Sequence, residues 1–223
     1  MPRQITEEIA LPRKKPRKSE PDPEPSPDGE PPAAAFGQPA GETPAPDSPP
    51  PESAGAAPEA PPANYLEVAR SEKLVIIRPN GLGNMKVAMG LMDFTAEMLR
   101  NGYTHFVFDL SACKGLDSTF MGAMVGLAAA AQEEGGLAAV VNASHSNVEL
   151  LQIVGADKFL QLRGDYRFEE IETERLAPPP PSAARRLELV KQAHESLVDI
   201  DKRNEARFGA FLRQLSTELA DKP

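Results

Sequence analysis

Two periods of apolar residues alternate along residues 65–164, and together they predict strands and helices in succession. Apolar runs with β-branched and aromatic side chains predict strands at residues 66–69, 73–78, 105–110, 137–142 and 158–162. Apolar residues at helical spacing predict helices between them, at residues 84–100, 117–134 and 148–155. Because parallel strands joined by a helix form right-handed crossovers, the pattern predicts an α/β domain. Its four- to five-stranded mixed sheet should carry the helices mainly on one face.

A different pattern follows this domain. Residues 165–181 alternate weakly and end in a run of prolines, which predicts an extended segment and a stiff spacer. Residues 182–220 predict one long amphipathic helix, whose apolar stripe near heptad spacing contains Leu187, Val190, Leu197, Phe208, Phe211 and Leu215. Polar His194, Asp201 and Asn204 fall in the same seam, which argues against a regular coiled coil. The stripe must therefore dock on the domain, self-associate with a second copy, or bind a partner.

The N-terminal region has the composition of a tail. Residues 1–64 contain most of the 24 prolines of the chain and almost no aliphatic or aromatic residues after Leu11. Such a segment buries too little apolar surface to offset its chain entropy, so we expect it to be disordered and to serve as a tether. A basic cluster at residues 13–18 is compatible with an anionic contact, but the acidic residues that follow favour a solvated charge run.

Composition and charge narrow the classes of function. The formal net charge of −9 argues against non-specific nucleic-acid binding as the main role. The single cysteine, Cys113, excludes a disulfide framework, and the three histidines have no metal-ligand spacing. No apolar run approaches the roughly 18 residues that span a membrane, and the N-terminus lacks a signal-peptide core. We therefore expect a cytoplasmic protein without a membrane span or a metal.

Enzyme motifs are weak in this sequence. The two glycines around Leu82 lack the third glycine of a dinucleotide fingerprint and the Lys-Ser/Thr pair of a phosphate loop. Asp109 and Asp117 are the acidic residues near the predicted strand end, and neither has an evident partner base. The sequence therefore predicts a protein that is not an enzyme and holds no cofactor.

The predicted helix at residues 117–134 begins with three helix-start residues, Asp117, Ser118 and Thr119. A hydroxyl at a helix N-terminus faces unpaired backbone N–H groups and the positive end of the helix dipole, where a phosphate is well tolerated. Ser118 is thus a phosphoacceptor or an ordinary helix cap, and Asp117 either caps the helix or orients the hydroxyl. Of Phe120 and Met121 we expect one to be exposed as a protein contact; the alternative is that both are buried.

The segments Asp109-Leu110-Ser111 and Leu116-Asp117-Ser118-Thr119, followed by the apolar helix and Gly135-Gly136, resemble the STAS domain family of the anti-sigma factor antagonist type. The resemblance covers roughly residues 66–162. The family pattern usually has glycine directly after the hydroxyl pair, whereas this chain has Phe120.

The resemblance implies a partner and a switch. In antagonists that are regulated by phosphorylation, the serine directly after the aspartate is the acceptor, which implies Ser118, with Thr119 as the adjacent alternative. It also implies that Asp117, Ser118, Thr119, Phe120 and Met121 bind an anti-sigma factor kinase, an ATPase of the histidine-kinase-like class, and that a serine phosphatase restores the hydroxyl. Two alternatives remain: a STAS subunit of a lipid-transport ATPase complex, and a scaffold module of a signalling assembly without phospho-switching.

Overall fold

The structure, a computed structural model, describes residues 64–168, 172–176 and 181–220. The predicted tail, apart from Asn64, lies outside these described residues, and so does the basic cluster at residues 13–18. Most of the proline spacer, at residues 177–180, lies outside them as well.

Within the described residues the chain forms seven strands and five helices. The strands are β1 (Tyr65–Ser71), β2 (Leu74–Gly83), β3 (His105–Asp109), β4 (Cys113–Leu116), β5 (Leu137–Val141), β6 (Leu160–Leu162) and β7 (Glu174–Leu176). The helices are α1 (Met85–Arg100), α2 (Ser118–Glu133), α3 (His145–Ile153), α4 (Ala183–Ile200) and α5 (Glu205–Ala220). Short 3₁₀ turns follow α3 and α4, at Ala156–Lys158 and Lys202–Asn204.

The sheet is mixed, with the strand order β6-β5-β3-β2-β1-β7, and β4 pairs with the end of β2. The neighbours β2, β3, β5 and β6 are parallel, as helical crossovers between them require, and β1 lies antiparallel between β2 and β7. The predicted α/β class with a mixed sheet is confirmed.

The sheet has more strands than the sequence predicted, because β4 and β7 are short. β4 forms by pairing with Gly81–Gly83 at the end of β2, and β7 forms by pairing with β1. β2 also continues past its predicted end near Pro79. β2 pairs with β3 as far as Ile77, and it pairs with β4 from Gly81 onward. Pro79 lies between these two paired stretches, so its missing N–H removes no hydrogen bond from either of them. Tertiary pairing has overridden weak local propensity here.

Each face of the sheet has its own apolar cluster. In the main cluster, Val75 and Ile77 pack with residues of α1 and α2. On the opposite face, the intervening Leu74 and Ile76 belong to a smaller cluster, against which Tyr166 and Phe168 pack. Alternate side chains of β2 therefore point to opposite faces of the sheet. The helices cover one face, and the segment after β6 covers part of the other.

The C-terminal amphipathic segment is helical, as predicted, but it consists of two helices rather than one. α4 ends at Ile200 because Asp201 adopts an extended conformation, with φ −150° and ψ 112°. The Asp201 side chain then caps the following turn by accepting from the N–H of Arg203 at 3.0 Å. α5 folds back so that its Phe208 and Phe211 contact His194 of α4. We refer to residues 183–220 as the C-terminal hairpin.

The C-terminal hairpin docks on the helical layer of the domain. Its α4 helix packs against α2 and buries Leu189, Val190, Ala193 and Leu197. Leu197 belongs to the main apolar cluster. Of the three destinations that the sequence leaves open for the apolar stripe, the structure shows docking on the domain.

The turn between the two helices is held to the domain by polar contacts. Asp201 Oδ2 accepts from Lys158 Nζ at 2.8 Å, and the hydrogen bonds from Arg203 and Lys158 hold the pKa of Asp201 below its usual range. The buried Asn204 donates from Nδ2 to the carbonyl oxygen of Val154 at 2.9 Å and to that of Leu197 at 2.7 Å. Asn204 therefore joins both the end of α3 and the end of α4 to the turn.

Replacing Asn204 with alanine is expected to lower the free energy of unfolding by about 1–3 kcal/mol, because two buried carbonyl groups lose their donor. Urea unfolding of the full chain measures the change. Lys202→Ala, an exposed position in the same turn, is the matched control and should stay within about 0.5 kcal/mol of the wild type. A loss at Asn204 no larger than that at Lys202 would show that the turn does not depend on this side chain.

Candidate functional site

The turn before Ser118 is fixed by strand pairing. β4 pairs in parallel with the end of β2, which brings Gly115 opposite Leu82 and Leu116 opposite Gly83. The N–H of Asp117 then donates to the carbonyl oxygen of Gly83 at 2.8 Å. The chain therefore enters α2 from a short strand rather than from an irregular loop.

Asp117 joins the starts of two helices. Its Oδ1 accepts from the N–H of Phe120 at 2.8 Å, which caps α2, and its Oδ2 accepts from the N–H of Met85 at 2.7 Å, at the first residue of α1. Because both carboxylate oxygens accept from backbone, the geometry supports the capping role rather than one of orienting the Ser118 hydroxyl.

Ser118 is the first residue of α2, and its side chain contacts the C-terminal hairpin. Its Oγ lies 3.0 Å from Nε2 of His194, whose Nδ1 lies 2.8 Å from the carbonyl oxygen of Val190. A carbonyl oxygen can only accept, so Nδ1 carries a proton, and in the neutral ring Nε2 is then the acceptor to which the Ser118 hydroxyl donates. His194 is 4% exposed, and its ring packs edge-to-face with Phe208 and Phe211, at centroid distances of 5.2 and 4.9 Å.

The residues after Ser118 turn into the core. Thr119, Phe120 and Met121 are all buried. The expectation that either Phe120 or Met121 is exposed is therefore wrong for this conformation. The ring of Phe120 occupies space left by Gly83, where an added Cβ would lie 3.0 Å from Phe120 Cδ1. Partner binding by Asp117, Ser118, Thr119, Phe120 and Met121 stays a prediction.

Two glycines of α2 allow α4 to approach closely. A Cβ added at Gly122 would lie 2.0 Å from the carbonyl oxygen of Ala193, so the two helices touch backbone to backbone at this point. One turn later, a Cβ at Gly126 would lie 2.9 Å from Oγ of Ser196, the end of a side chain that can rotate away. Any substituent at residue 122 must therefore displace α4.

Two residues of this region do not belong to the site that the sequence predicts. His194 appears in the sequence only as a polar residue in an apolar seam, and this departure from the pattern is its one signal. Leu82, which is 48% exposed, lies beside Gly115 in the turn that leads to α2. In the sequence, Leu82 stands between two glycines that resemble part of a phosphate loop, and this pattern alone does not indicate an exposed apolar side chain.

Asp109 lies at the end of β3 and is 2% exposed. It accepts from Arg78 Nε at 2.8 Å, from Asn142 Nδ2 at 2.9 Å and from the N–H of Ser111 at 3.1 Å. Burial alone would raise the pKa of Asp109, but the hydrogen bonds from Asn142, Ser111 and Arg78 together lower it. Asp109 is thus a paired structural carboxylate at the carboxyl edge of the sheet.

Other chemistry is sparse in the part of the chain that the structure describes. The Cys113 thiol is buried, lies 3.3 Å from the carbonyl oxygen of Gly115, and has a pKa raised by burial. Among residues 64–168, 172–176 and 181–220, no three His, Cys, Asp or Glu side chains are grouped so as to hold a metal ion. None of the described helices is long and apolar enough to cross a membrane.

Residues 65–169 match the family model described as STAS domain. This segment is a STAS domain. It contains β1 to β6, α1, α2 and α3, together with Ser118, whereas α4 and α5 lie beyond the matched residues. The phosphoacceptor candidate and the histidine that contacts it therefore come from different parts of the chain.

Solved structures similar to the STAS domain include anti-sigma factor antagonists. The unphosphorylated form of the anti-sigma factor antagonist SpoIIAA is 15% identical, with a TM-score of 0.41, and covers 44% of this chain and 87% of its own. The phosphorylated form of the Bacillus cell fate determinant SpoIIAA is 14% identical, with a TM-score of 0.39 and coverages of 44% and 90%. TM1081 of Thermotoga maritima is 22% identical, with a TM-score of 0.42 and coverages of 45% and 86%. No curated protein sequence matches the chain.

Proposed function

We propose that this protein is a regulatory protein of the anti-sigma factor antagonist kind, which binds a kinase-type anti-sigma factor and is switched by phosphorylation of Ser118. The partner would be an ATPase of the histidine-kinase-like class that transfers the γ-phosphoryl group of ATP to Ser118 Oγ and releases ADP. A serine phosphatase would reverse the step. In this scheme the protein is a ligand and a substrate rather than a catalyst.

The observation that carries this proposal is the position of Ser118 within the STAS domain. It is the first residue of a long helix, on a turn that β4 pairing and Asp117 hold in place. The N-terminal end of a helix stabilises negative charge, so a phosphate there should not unfold the domain. Thr119 is a weaker candidate acceptor because it is buried, whereas Ser118 is only partly so.

A charge at residue 118 should act on the partner. Phosphorylation adds about −1.5 to −2 charges near neutral pH. A partner surface that fits against a neutral hydroxyl would have to desolvate this charge without a counter-charge, which is unfavourable. Ser118→Ala should therefore bind the partner without being switched off, and Ser118→Glu should bind at least about thirtyfold more weakly, roughly 2 kcal/mol.

The test uses the ATPase that co-purifies with the full-length chain. Its affinity is measured for the wild type, Ser118→Ala and Ser118→Glu, and mass spectrometry locates the phosphate after incubation with ATP. Ser216→Glu, which places the same charge on an exposed serine of α5, is the matched control and should bind like the wild type. Equal binding by all four proteins would make Ser118 an ordinary helix residue and favour the transporter-subunit or scaffold role.

A further inference from the structure

The C-terminal hairpin covers the surface on which the proposed function depends. His194 of α4 accepts the hydrogen bond of the Ser118 hydroxyl at 3.0 Å, and the ring of His194 is itself enclosed by Phe208 and Phe211 of α5. A kinase active site has to surround its acceptor hydroxyl on several sides. In this conformation one of those sides is occupied by the protein's own helix.

The covering continues along α2 beyond Ser118. Gly122 meets the backbone of Ala193, and Gly126 meets the side chain of Ser196, so contacts from residues 193–196 of α4 extend over two turns of α2, from Ser118 to Gly126. With α4 in place, a partner could not contact this face of α2 except at its margins. Ser118, the first residue of α2, lies at that margin and is half-buried.

The attachment of the C-terminal hairpin is strong at one end. The turn at residues 201–204 is held by Lys158, Asp201 and Asn204, next to the end of α3. At the other end, α4 follows the proline-rich spacer, and its first turn contacts α1 through an exposed ion pair between Arg185 and Asp93. Exposed ion pairs contribute little to stability, so the first turn of α4 should open more easily than the turns that bury Leu189, Val190 and Leu197.

We propose that the C-terminal hairpin is an intramolecular lid, and that Ser118 becomes available to a kinase, a phosphatase or a docking partner only after α4 leaves α2. The control of access to Ser118 rests on the proposed function, but the opening of the hairpin can be measured without any partner. The hairpin and the partner would then compete for the same face of α2.

Native-state hydrogen exchange of the unmodified full chain is the first test. A lid that opens separately exposes its amides through a local transition, so amides of α4 should exchange at least tenfold faster than those of β3 under conditions in which β3 exchanges by global unfolding. If α4 and β3 exchange through the same global transition, the hairpin does not open as a lid and the proposal is overturned.

Gly122→Ala provides a steric test of the same contact. The added methyl group should push α4 away while favouring the helical backbone of α2, so exchange in α4 should rise at least tenfold over the wild type, with β3 unchanged. Gly126→Ala is the matched control, because it makes the same change one turn away, against a rotatable side chain. Unchanged α4 exchange in Gly122→Ala, or an equal rise in both variants, contradicts the proposal. If Gly122→Ala does not fold, the wild-type exchange measurement decides.

A disulfide lock tests whether the lid controls access. An added Cβ at residue 126 would lie 3.7 Å from the Cβ of Ser196, which is the separation that a disulfide requires. In Gly126→Cys/Ser196→Cys, the oxidised form should bind the ATPase of the Ser118 experiment at least tenfold more weakly than the reduced form of the same protein. Equal affinity of the two forms would overturn the role of the lid. The effect of Ser118→Ala and Ser118→Glu in the unlocked chain tests the proposed function separately.

Discussion

Replacing Phe120 with glycine is expected to destabilise this protein strongly. The Phe120 side chain is fully buried and packs against the backbone at Gly83 and the side chains around it. Removing a buried phenylalanine side chain costs about 3–5 kcal/mol, and glycine within a helix costs about 1 kcal/mol relative to alanine. We therefore expect the free energy of unfolding to fall by about 4–6 kcal/mol.

Urea unfolding of the full chain measures this change, and two variants control it. Phe120→Leu retains most of the apolar volume and should cost much less. Phe211→Gly makes the same replacement at a helical phenylalanine that is 40% exposed, and its loss should also be clearly smaller. If Phe120→Gly unfolds at the same urea concentration as the wild type, the ring is not part of the core, and an exposed Phe120 contact would again be possible.

The second large effect is expected at Asp109. Asp109→Ala removes the buried acceptor of hydrogen bonds from Arg78 Nε, Asn142 Nδ2 and the N–H of Ser111. Hydrogen bonds to a charged group contribute about 1.5–3 kcal/mol each, so we expect the free energy of unfolding to fall by at least that amount. Asn142 also exchanges hydrogen bonds with the backbone of Tyr166, at 2.7 and 2.9 Å. Loss of Asp109 should thus loosen the segment that packs on the second face of the sheet.

Urea unfolding at neutral pH tests this expectation, with Asp165→Ala, at an exposed acid in the same segment, as the control. A pH series adds a signature. Because the pKa of Asp109 is lower in the folded state than the ordinary value of 3.8, its ionised form stabilises the fold above that pH, and this contribution is lost as the pH falls below it. The difference between the wild type and Asp109→Ala should therefore shrink in acid. A difference that is constant between neutral and acid pH would contradict the pairing.

The sequence predicted the long elements of the fold because their apolar periods are regular. One boundary differs: the sequence predicts the third helix from residue 148, with a cap at residue 146 or 147, whereas the structure has it at His145–Ile153 with Ser144 as the cap. The strands β4 and β7 could not be predicted, because they depend on pairing partners that are distant in sequence. The break in the C-terminal segment had a signal, since Asp201 and Asn204 interrupt the apolar seam. The structure explains the break by the contacts of Asp201 with Lys158 and of Asn204 with Val154, and no local sequence pattern predicts these contacts.

For the candidate site, the sequence indicated the start of α2 but not its surroundings. Asp117, Ser118 and Thr119 begin that helix as expected from their capping chemistry. The contact between Ser118 and His194 joins residues 76 positions apart, and it depends on which face of an amphipathic helix meets which face of the domain. The apolar periodicity predicts that the helix has such a face, but it does not predict which surface that face contacts.

The pairing of β4 with β2 has a consequence for the kinetics of association. The turn before Ser118 is already in its final shape, so little chain entropy remains to be lost when a partner arrives. The slow event would then be the departure of the C-terminal hairpin rather than the ordering of a loop. The observed rate of complex formation should accordingly level off as the partner concentration increases, at a plateau equal to the opening rate of the hairpin.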